Sequence, residues 1–538
     1  MYSSPLEKLP DHCLELILDK LILEDFDNFT VCCRRINDIS KGVLKMRTIR
    51  LQEVVKQNKA AKWQLLHHGE TNSKYDMTPG QRFGSTLIYM DNSIFLFGGA
   101  TVNWTTFNDL WRFDLKNKKW SRRIPSGTCP PPRASGNGIL FQDKLIIIGG
   151  FEITFNIYAK RSSNWDNLPW VYNFTSNNWN MMAVDTSKII DSVDDDFNPN
   201  FHISPTPVGQ SACLMLNDQI ILFGGARALL NQSQGLRRHN TIQPHFLSDQ
   251  TLALSLSNST ITRIRTFGNV CPPKRCGHSA VLVDCNRMLI IGGYLGPNTK
   301  GTEDMWMLTC FESPDNMCSC SHGNGELPSD AAWCWTEIVI NHSLQPLSQF
   351  MKNAIIIPNE NHQSGSLVIL GGASDEVETS LFQNSSLPAS ESSSSSVMVE
   401  AHRAGNRSTN ELMFKRELRA LKKSNQIIVH SIDLDGLIAP CETCGKFDSN
   451  YRNEIKWIPP LAECQDLSNA PNVRQGFSIV AGQSSIFVFG GLMYRSIFTR
   501  PIYLLNDLMI RDNETEDTFV RGCSDLHELT YRCSAILL

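Results

Sequence analysis

The 538-residue chain is short of the features that mark several large classes of protein. Its first residues, MYSSPLEKLPDH, hold no basic segment followed by an apolar one, and no uncharged apolar run is long enough to span a bilayer. The ending CSAILL carries no lipidation motif. A net charge of −4 lacks the basic footprint of a nucleic-acid binder. The 17 cysteines are odd in number and scattered, which excludes a small disulfide framework. Reduced thiols in an intracellular protein, cytoplasmic and/or nuclear, are the expectation. Also missing are a nucleophile motif, a phosphate loop and paired carboxylates in matching loops, so no catalytic residue is expected. CETC at 441 and CSCSH at 318 come nearest to a metal site. A zinc site wants two such pairs converging, and these lie on different repeats, so neither a metal nor another cofactor is expected.

What is present is 41% apolar and 19% charged residues, the balance of a globular chain. The dominant feature is a repeat. A short apolar run ending in Gly-Gly occurs six times: SIFLFGGA at 93, KLIIIGGF at 144, QIILFGGA at 219, RMLIIGGY at 287, LVILGGAS at 367 and SIFVFGGL at 485. Each run is rich in β-branched or aromatic residues, as a strand buried on both faces would be. Another apolar stretch precedes most copies, as in FGSTLIYM at 83 and HSAVLV at 278. A third follows each: NDLWRFDL at 108, LPWVYNF at 168, SDQTLALSL at 248, EDMWMLT at 303, QIIVHSIDL at 426 and NDLMIRD at 506. A Trp marks a fourth element at Trp120, Trp179, Trp335 and Trp457. Four strands per unit, repeated at irregular spacing, predict a β-propeller of six blades. Blade six lacks its Trp, and Trp63 stands orphaned ahead of blade one. The strand around Trp63 is therefore expected to close the last blade by pairing near 506–511, leaving no open edge.

Between 374 and 424 blade five is interrupted by ETSLFQNSSLPASESSSSSVMVE and NELMFKRELRALKKS; the serine tract cannot bury enough apolar surface to order itself. Ahead of the repeats, residues 6–51 change period. Leu14, Ile17, Leu18 and Leu21 fall at i, i+3, i+4 and i+7, one face of a helix. About 45 helical residues build little core alone and gain by burying an apolar face on something else.

The Gly-Gly strand, variable loop, aromatic strand and Trp together resemble the kelch repeat. Leu9-Pro10, Leu14, Ile17-Leu18, Leu21, Val31-Cys32 and Arg34-Arg35 stand in the order of the F-box. The chain is thus similar to the F-box/kelch proteins. The resemblance implies a mainly β fold, a six-bladed kelch propeller preceded by a small all-α F-box domain. The expected division is an F-box over 1–52, a linker over 53–61, the propeller over 62–512 and a tail over 513–538. It implies a non-catalytic adaptor of an SCF-type ubiquitin ligase. Leu9, Pro10, Leu14, Ile17, Leu18 and Leu21 would dock the Skp-type linker, which joins the cullin, and the propeller would hold the protein to be ubiquitinated. The alternative is a kelch interaction scaffold with no ligase role. Substrate would meet residues at the start of each blade: Arg82, Arg133, Gln210, Arg275 and Arg474. Guanidinium groups suit an acidic or phosphorylated degron; the competing expectation is that these arginines only knit neighbouring blades together.

Overall fold

The computed structural model describes residues 9–21, 33–57, 61–67, 77–101, 105–150, 169–185, 211–215, 219–225, 247–267, 270–295, 304–311, 332–340, 353–358, 365–371, 428–434, 454–458, 471, 474–482, 485–496 and 518–531. Each Gly-Gly run is the second strand of a four-stranded antiparallel unit. Blade one, for example, is Thr86–Met90, Ser93–Phe97, Leu110–Asp114 and Lys119–Arg123, paired in that order. The first strands neighbour one another in a closed cycle: 86–90, 137–141, 211–215, 279–284, 353–358, 478–481 and back to 86–90. The chain is therefore a closed propeller with six units around one axis.

Three repeated devices hold blade to blade. At one end of the barrel, backbone groups form a triangle. In blade one, Gly99 N–H donates to the Arg133 carbonyl of blade two, Arg133 N–H to the Phe107 carbonyl, and Phe107 N–H to the Gly99 carbonyl, each at 2.9 Å. Gly225, Arg275 and Ser248 repeat it, as do Gly491, Arg82 and Cys523. This requires glycine: Gly98 and Gly99 have φ of 65° and 98°, and a Cβ on Gly98 would sit 2.5 Å from the Arg133 carbonyl oxygen. Further out, the fourth-strand Trp of one blade packs on the aromatic residue that precedes the glycine pair of the previous blade. Ring centroids are 5.2 Å apart for Trp179 on Phe97, 5.5 Å for Trp120 on Phe489 and 4.8 Å for Trp335 on Phe223.

The third device is a parallel staple. The chain leaving one outer strand pairs with the outer strand of the next blade: Ser126–Gly127 with 178–179, Asp185 with Thr260, and Thr266–Phe267 with 333–334. The same contact, Val339 and Ile340 with Glu454 and Ile455, merges blades four and five into one nine-stranded sheet. Five sheets thus carry six blades. Blade three, whose outer strand lacks a Trp, still forms a regular fourth strand, Thr260–Arg263.

Closure differs from the expectation in one respect. The strand Ala61–His67, with Trp63 1% exposed, does complete blade six. Its partner is Leu526–Tyr531, inside the segment expected as a tail, and not 506–511, which lies outside the described residues. NDLMIRD copies the lettering of NDLWRFDL, but Asp525-Leu526 occupies the ladder register of Asp109-Leu110: Leu526 faces Phe489 as Leu110 faces Phe97. A long hairpin separates the two halves of blade six and displaces the true third strand. The serine-rich insertion also lies outside the described residues.

Among the described residues two helices precede the propeller, α1 (Asp11–Lys20) and α2 (Arg34–Gln57). Asp11 in the first turn of α1 complements the helix dipole. Residues 53–57, expected as linker, are the last turn of α2. This helix lies against the strands Gly365–Gly371, Ile428–Asp433 and Leu526–Tyr531 of blades five and six. Its Leu51 is 3% exposed and joins the cluster of Trp63, Val368, Leu370, Ile486 and Val488 between those blades. The strand from Ala61 starts beside Tyr531, at the barrel end away from the glycine pairs. The helices are therefore attached at the opposite end from the Gly-Gly loops.

Candidate functional site

The structure has two surfaces to weigh, one on the helices and one at the Gly-Gly end of the propeller. In the helical unit, Leu18 of α1 packs with Ile36 and Val43 of α2, and Leu21, Cys33 and Ile39 pack around them. Arg47 donates to the carbonyls of Leu18, Asp19 and Leu21 at 2.8, 3.1 and 2.7 Å, satisfying orphan acceptors at the C-terminus of α1. Burial lowers the Arg47 pKa from its ordinary value, opposed by the nearby Asp19 carboxylate. At the other end of α1, Arg35 bonds the Leu9 carbonyl at 2.7 Å and Asp11 at 2.8 Å.

This arrangement sorts the six residues expected to dock a ligase linker. Leu14 and Leu18, 2% and 1% exposed, are interior, which corrects their assignment to a docking face. The i, i+4 periodicity marks the face that a helix buries within its own chain before it marks any partner face. Leu9, Ile17 and Leu21 are half-buried and Pro10 is exposed. Two apolar residues that the periodicity passed over are open to solvent, Leu16 at 63% and Met46 at 48%. The signal for Leu16 was available: an apolar residue between Glu15 and Ile17 that falls off the buried stripe.

At the propeller end, the start-of-blade arginines turn inward. Arg82 is 1% exposed and donates both Nη atoms to Asp109, at 2.6 and 3.1 Å. Its remaining hydrogen bonds go to the Gly98 and Gly80 carbonyls, and its guanidinium lies 4.1 Å from the centre of the Phe107 ring. Trp111 Nε1–H also donates to Asp109, at 2.7 Å. Blade four repeats the set: Arg275 holds Asp304 at 2.7 and 2.6 Å and the Gly292 carbonyl at 2.9 Å, while Trp306 donates to Asp304 at 2.7 Å. Arg133, 5% exposed, bonds the Gly149 and Pro131 carbonyls.

Arg82, Arg133 and Arg275 are therefore structural, which corrects their assignment as substrate-binding residues. Their side chains tie the first strand of a blade to its own glycine pair, while their backbone groups join that blade to the previous one. Arg474 occupies the register of Arg82, since Ser478 faces Phe489 as Thr86 faces Phe97. Gln210 lies outside the described residues. It is also one residue before the first strand of its blade, the register of Ser85 rather than Arg82.

Among the described residues no three His, Cys, Asp or Glu side chains gather as a metal site, and CETC and CSCSH lie outside them. Likewise, no described helix is long and apolar enough to cross a membrane.

Comparison with known proteins adds to this geometry. Residues 6–48 match the profile of the F-box domain, and residues 50–305 match that of the Attractin/LZTR1 beta-propeller. An F-box/kelch-repeat protein of Arabidopsis thaliana is 23% identical over 343 residues, 58% of this chain and 64% of that protein. Kelch domain-containing protein 3 of Bos taurus is 32% identical over 76 residues, 14% of this chain and 20% of the relative. The leucine-zipper-like transcriptional regulator 1 homolog of Drosophila melanogaster is 30% identical over 99 residues, 18% and 10% of the two chains. The chain thus spans under two thirds of each of these relatives. The chain carries an F-box domain at its N-terminus and a kelch-type β-propeller behind it.

Proposed function

We propose that this protein is a substrate-recognition adaptor of an SCF-type cullin–RING ubiquitin ligase, its F-box bound to a Skp-type linker and its propeller to a target protein. The observation that carries the reading is helix α2. Ile36 and Val43 at one end belong to the F-box core, and Leu51, two turns on, is wedged between blades five and six. One helix therefore sets the ligase-docking module at a fixed pose against the target-holding module. Ubiquitin transfer needs no catalytic group from such a subunit. It needs a target lysine kept at high effective concentration near the charged conjugating enzyme, which a fixed pose supplies. With the F-box at one end of the barrel, the Gly-Gly end is left for the target.

The test is co-purification of linker and cullin subunits with the full chain and with a Pro10→Ala/Leu16→Asp variant. Both changed residues are exposed, so the fold should survive. Capture by the native chain and at least a tenfold loss in the folded variant supports the adaptor. No capture by the native chain returns the protein to the class of kelch scaffolds.

A further inference from the structure

The outer strand of blade one, Lys119–Arg123, differs in charge from those of the next two blades. Asn178–Met181 and Thr260–Arg263 hold one cation between them, whereas KWSRR holds three and no acid. Register and packing sort these residues onto two faces. Trp120 is buried against Phe489, toward blade six, so Lys119, Ser121 and Arg123 lie on the face toward blade two. There Ser121 stands directly opposite Arg112, with Lys119 and Arg123 two residues to either side. Lys119 and Ser121 are exposed; Arg112 and Arg123 are half-buried.

Arg112 is aimed by a 2.9 Å bond from its Nε to Ser93 Oγ, and lies 3.7 Å from Asp114. Asp114 is engaged in the hairpin turn, its Oδ1 accepting the Lys116 and Asn117 N–H groups at 2.9 and 3.1 Å. Among the described residues neither Lys119 nor Arg123 has an acidic partner, and Arg123 Nε is buried with no hydrogen bond. The seam between blades does not need this cation. Arg123 faces Leu110, which faces Phe97; in blade three Thr251 faces Phe223, and Ile264 N–H bonds the Thr251 carbonyl. Ile264 packs there with Phe223 and Trp335. Blade one thus carries a guanidinium where blade three fills the same position with an aliphatic side chain.

We infer that Arg112, Lys119, Ser121 and Arg123 form a binding site for a phosphoryl group, carried by a phosphoserine or phosphothreonine in a segment of a protein partner. Three cations and the Asp114 carboxylate leave a net +2 on this face. That matches a phosphate monoester of about −1.5 to −2 and exceeds a single carboxylate. The phosphoryl oxygens accept from the three cations as charge-assisted pairs. The Ser121 hydroxyl, which donates to the Arg112 carbonyl at 3.3 Å, turns to donate to one of them. An open sheet face suits a chain laid across it; a small phosphate compound would want a concave pocket. Ile124, next along the chain, is 82% exposed, with its carbonyl held by Asn177 Nδ2 at 3.0 Å. It takes an apolar residue beside the phosphorylated one. The binding stands without the adaptor reading; only the partner's fate as a ligase target rests on it.

The experiment uses the purified full chain and labelled ten-residue peptide pools, read by fluorescence anisotropy. One pool has phosphoserine at position five and mixed Val, Ile and Leu at position six, with Gly and Ala elsewhere; two others place Ser or Glu at position five. The expected result is at least tenfold tighter binding of the phosphoserine pool than of either control. Lys119→Gln/Arg123→Ile should reduce it to the level of the Ser pool with Tm unchanged or raised, since Ile264 serves the same position in blade three. Lys119→Gln alone, at an exposed residue, should lose at least threefold. Arg122→Gln, on the other face of the strand, should lose less than that. Equal binding of the phosphoserine and Ser pools overturns the proposal, as does an equal loss in Arg122→Gln and the double variant. Glu bound as tightly as phosphoserine overturns the phosphoryl assignment, and displacement by an equal concentration of inorganic phosphate overturns the protein source. Linker capture by the same variants is read in parallel. Its failure while the phosphoserine pool still binds removes the adaptor reading and leaves the phosphoryl site standing.

Discussion

Arginine does opposite work in the two regions of this molecule. In the propeller, Arg82 and Arg275 are sealed from water, 1% and 0% exposed, each against a carboxylate and a glycine carbonyl. In the helical unit, Arg35 and Asp11 keep 42% and 63% of their side-chain surface, and Arg47 is intermediate at 16%. The chemistry of the pairs is alike; the solvent around them is not. A buried pair contributes little net stability against an apolar replacement, yet losing the arginine leaves Asp109 or Asp304, 12% and 21% exposed, without its cation in a largely buried site. A surface pair is cheap either way. The clamp is also optional to blade building: blade three has Gln250 where Asp109 and Asp304 stand, and keeps the same backbone triangle.

The largest effect expected from this contrast is in blade four. Arg275→Ala should cost about 3 kcal/mol in urea unfolding, the low end of the range for a broken buried pair, because Asp304 loses its cation but stays 21% exposed. The double change Arg275→Met/Asp304→Leu should recover most of the loss. If single and double variants are equally unstable, the clamp is not the source of the cost. Next comes the seam between regions. Leu51→Ala opens a cavity between blades five and six and should cost about 2–5 kcal/mol. Hydrogen exchange should then rise in both α2 and Leu526–Tyr531. A rise confined to α2 would show that the helix merely rests on the propeller.

Much of this architecture could be read beforehand, and the failures have physical causes. The glycine pairs were legible because their positive φ and close backbone approach leave no other residue available. The fourth-strand Trp was legible because one ring fills one slot per blade. Arginine is ambiguous in a sequence: it serves a buried clamp and an exposed anion site equally well, and only Asp109 and Asp304, 27 and 29 residues downstream, decide it. The pairing of Arg at the start of a blade with Asp before its third strand was a signal in plain view. Leu16 and the hairpin of blade six were missed because periodicity reports what a chain buries against itself.

A smaller effect follows from His278, beside the blade-four clamp. Burial and the adjacent Arg275 cation lower its pKa to about 3, with the Asp304 carboxylate and a hydrogen bond donated to the Phe223 backbone opposing. An unfolded chain would hold a proton there below its ordinary value of 6.5, while the folded chain refuses it. Stability is therefore complete above pH 6.5 and falls as pH drops toward 3. Between pH 6.5 and 5 the loss should be about 2 kcal/mol, at roughly 1.4 kcal/mol per unit. A His278→Gln variant should show a flatter dependence of Tm on pH over that window. An unchanged slope would place the acid sensitivity elsewhere.

The smallest effect belongs to the surface pair, and it bears on the contrast most directly. Arg35→Ala removes two contacts with Asp11 and one with the Leu9 carbonyl, as many as Arg275 makes with Asp304 and the Gly292 carbonyl. Counted as contacts it should matter as much as Arg275. Counted as charges in water it should cost under about 1 kcal/mol, because solvent replaces what is lost at Asp11 and Leu9. Urea unfolding of the two alanine variants side by side separates these views. A ratio near one would mean that burial has been given too much weight; a severalfold larger loss for Arg275 assigns the difference to water.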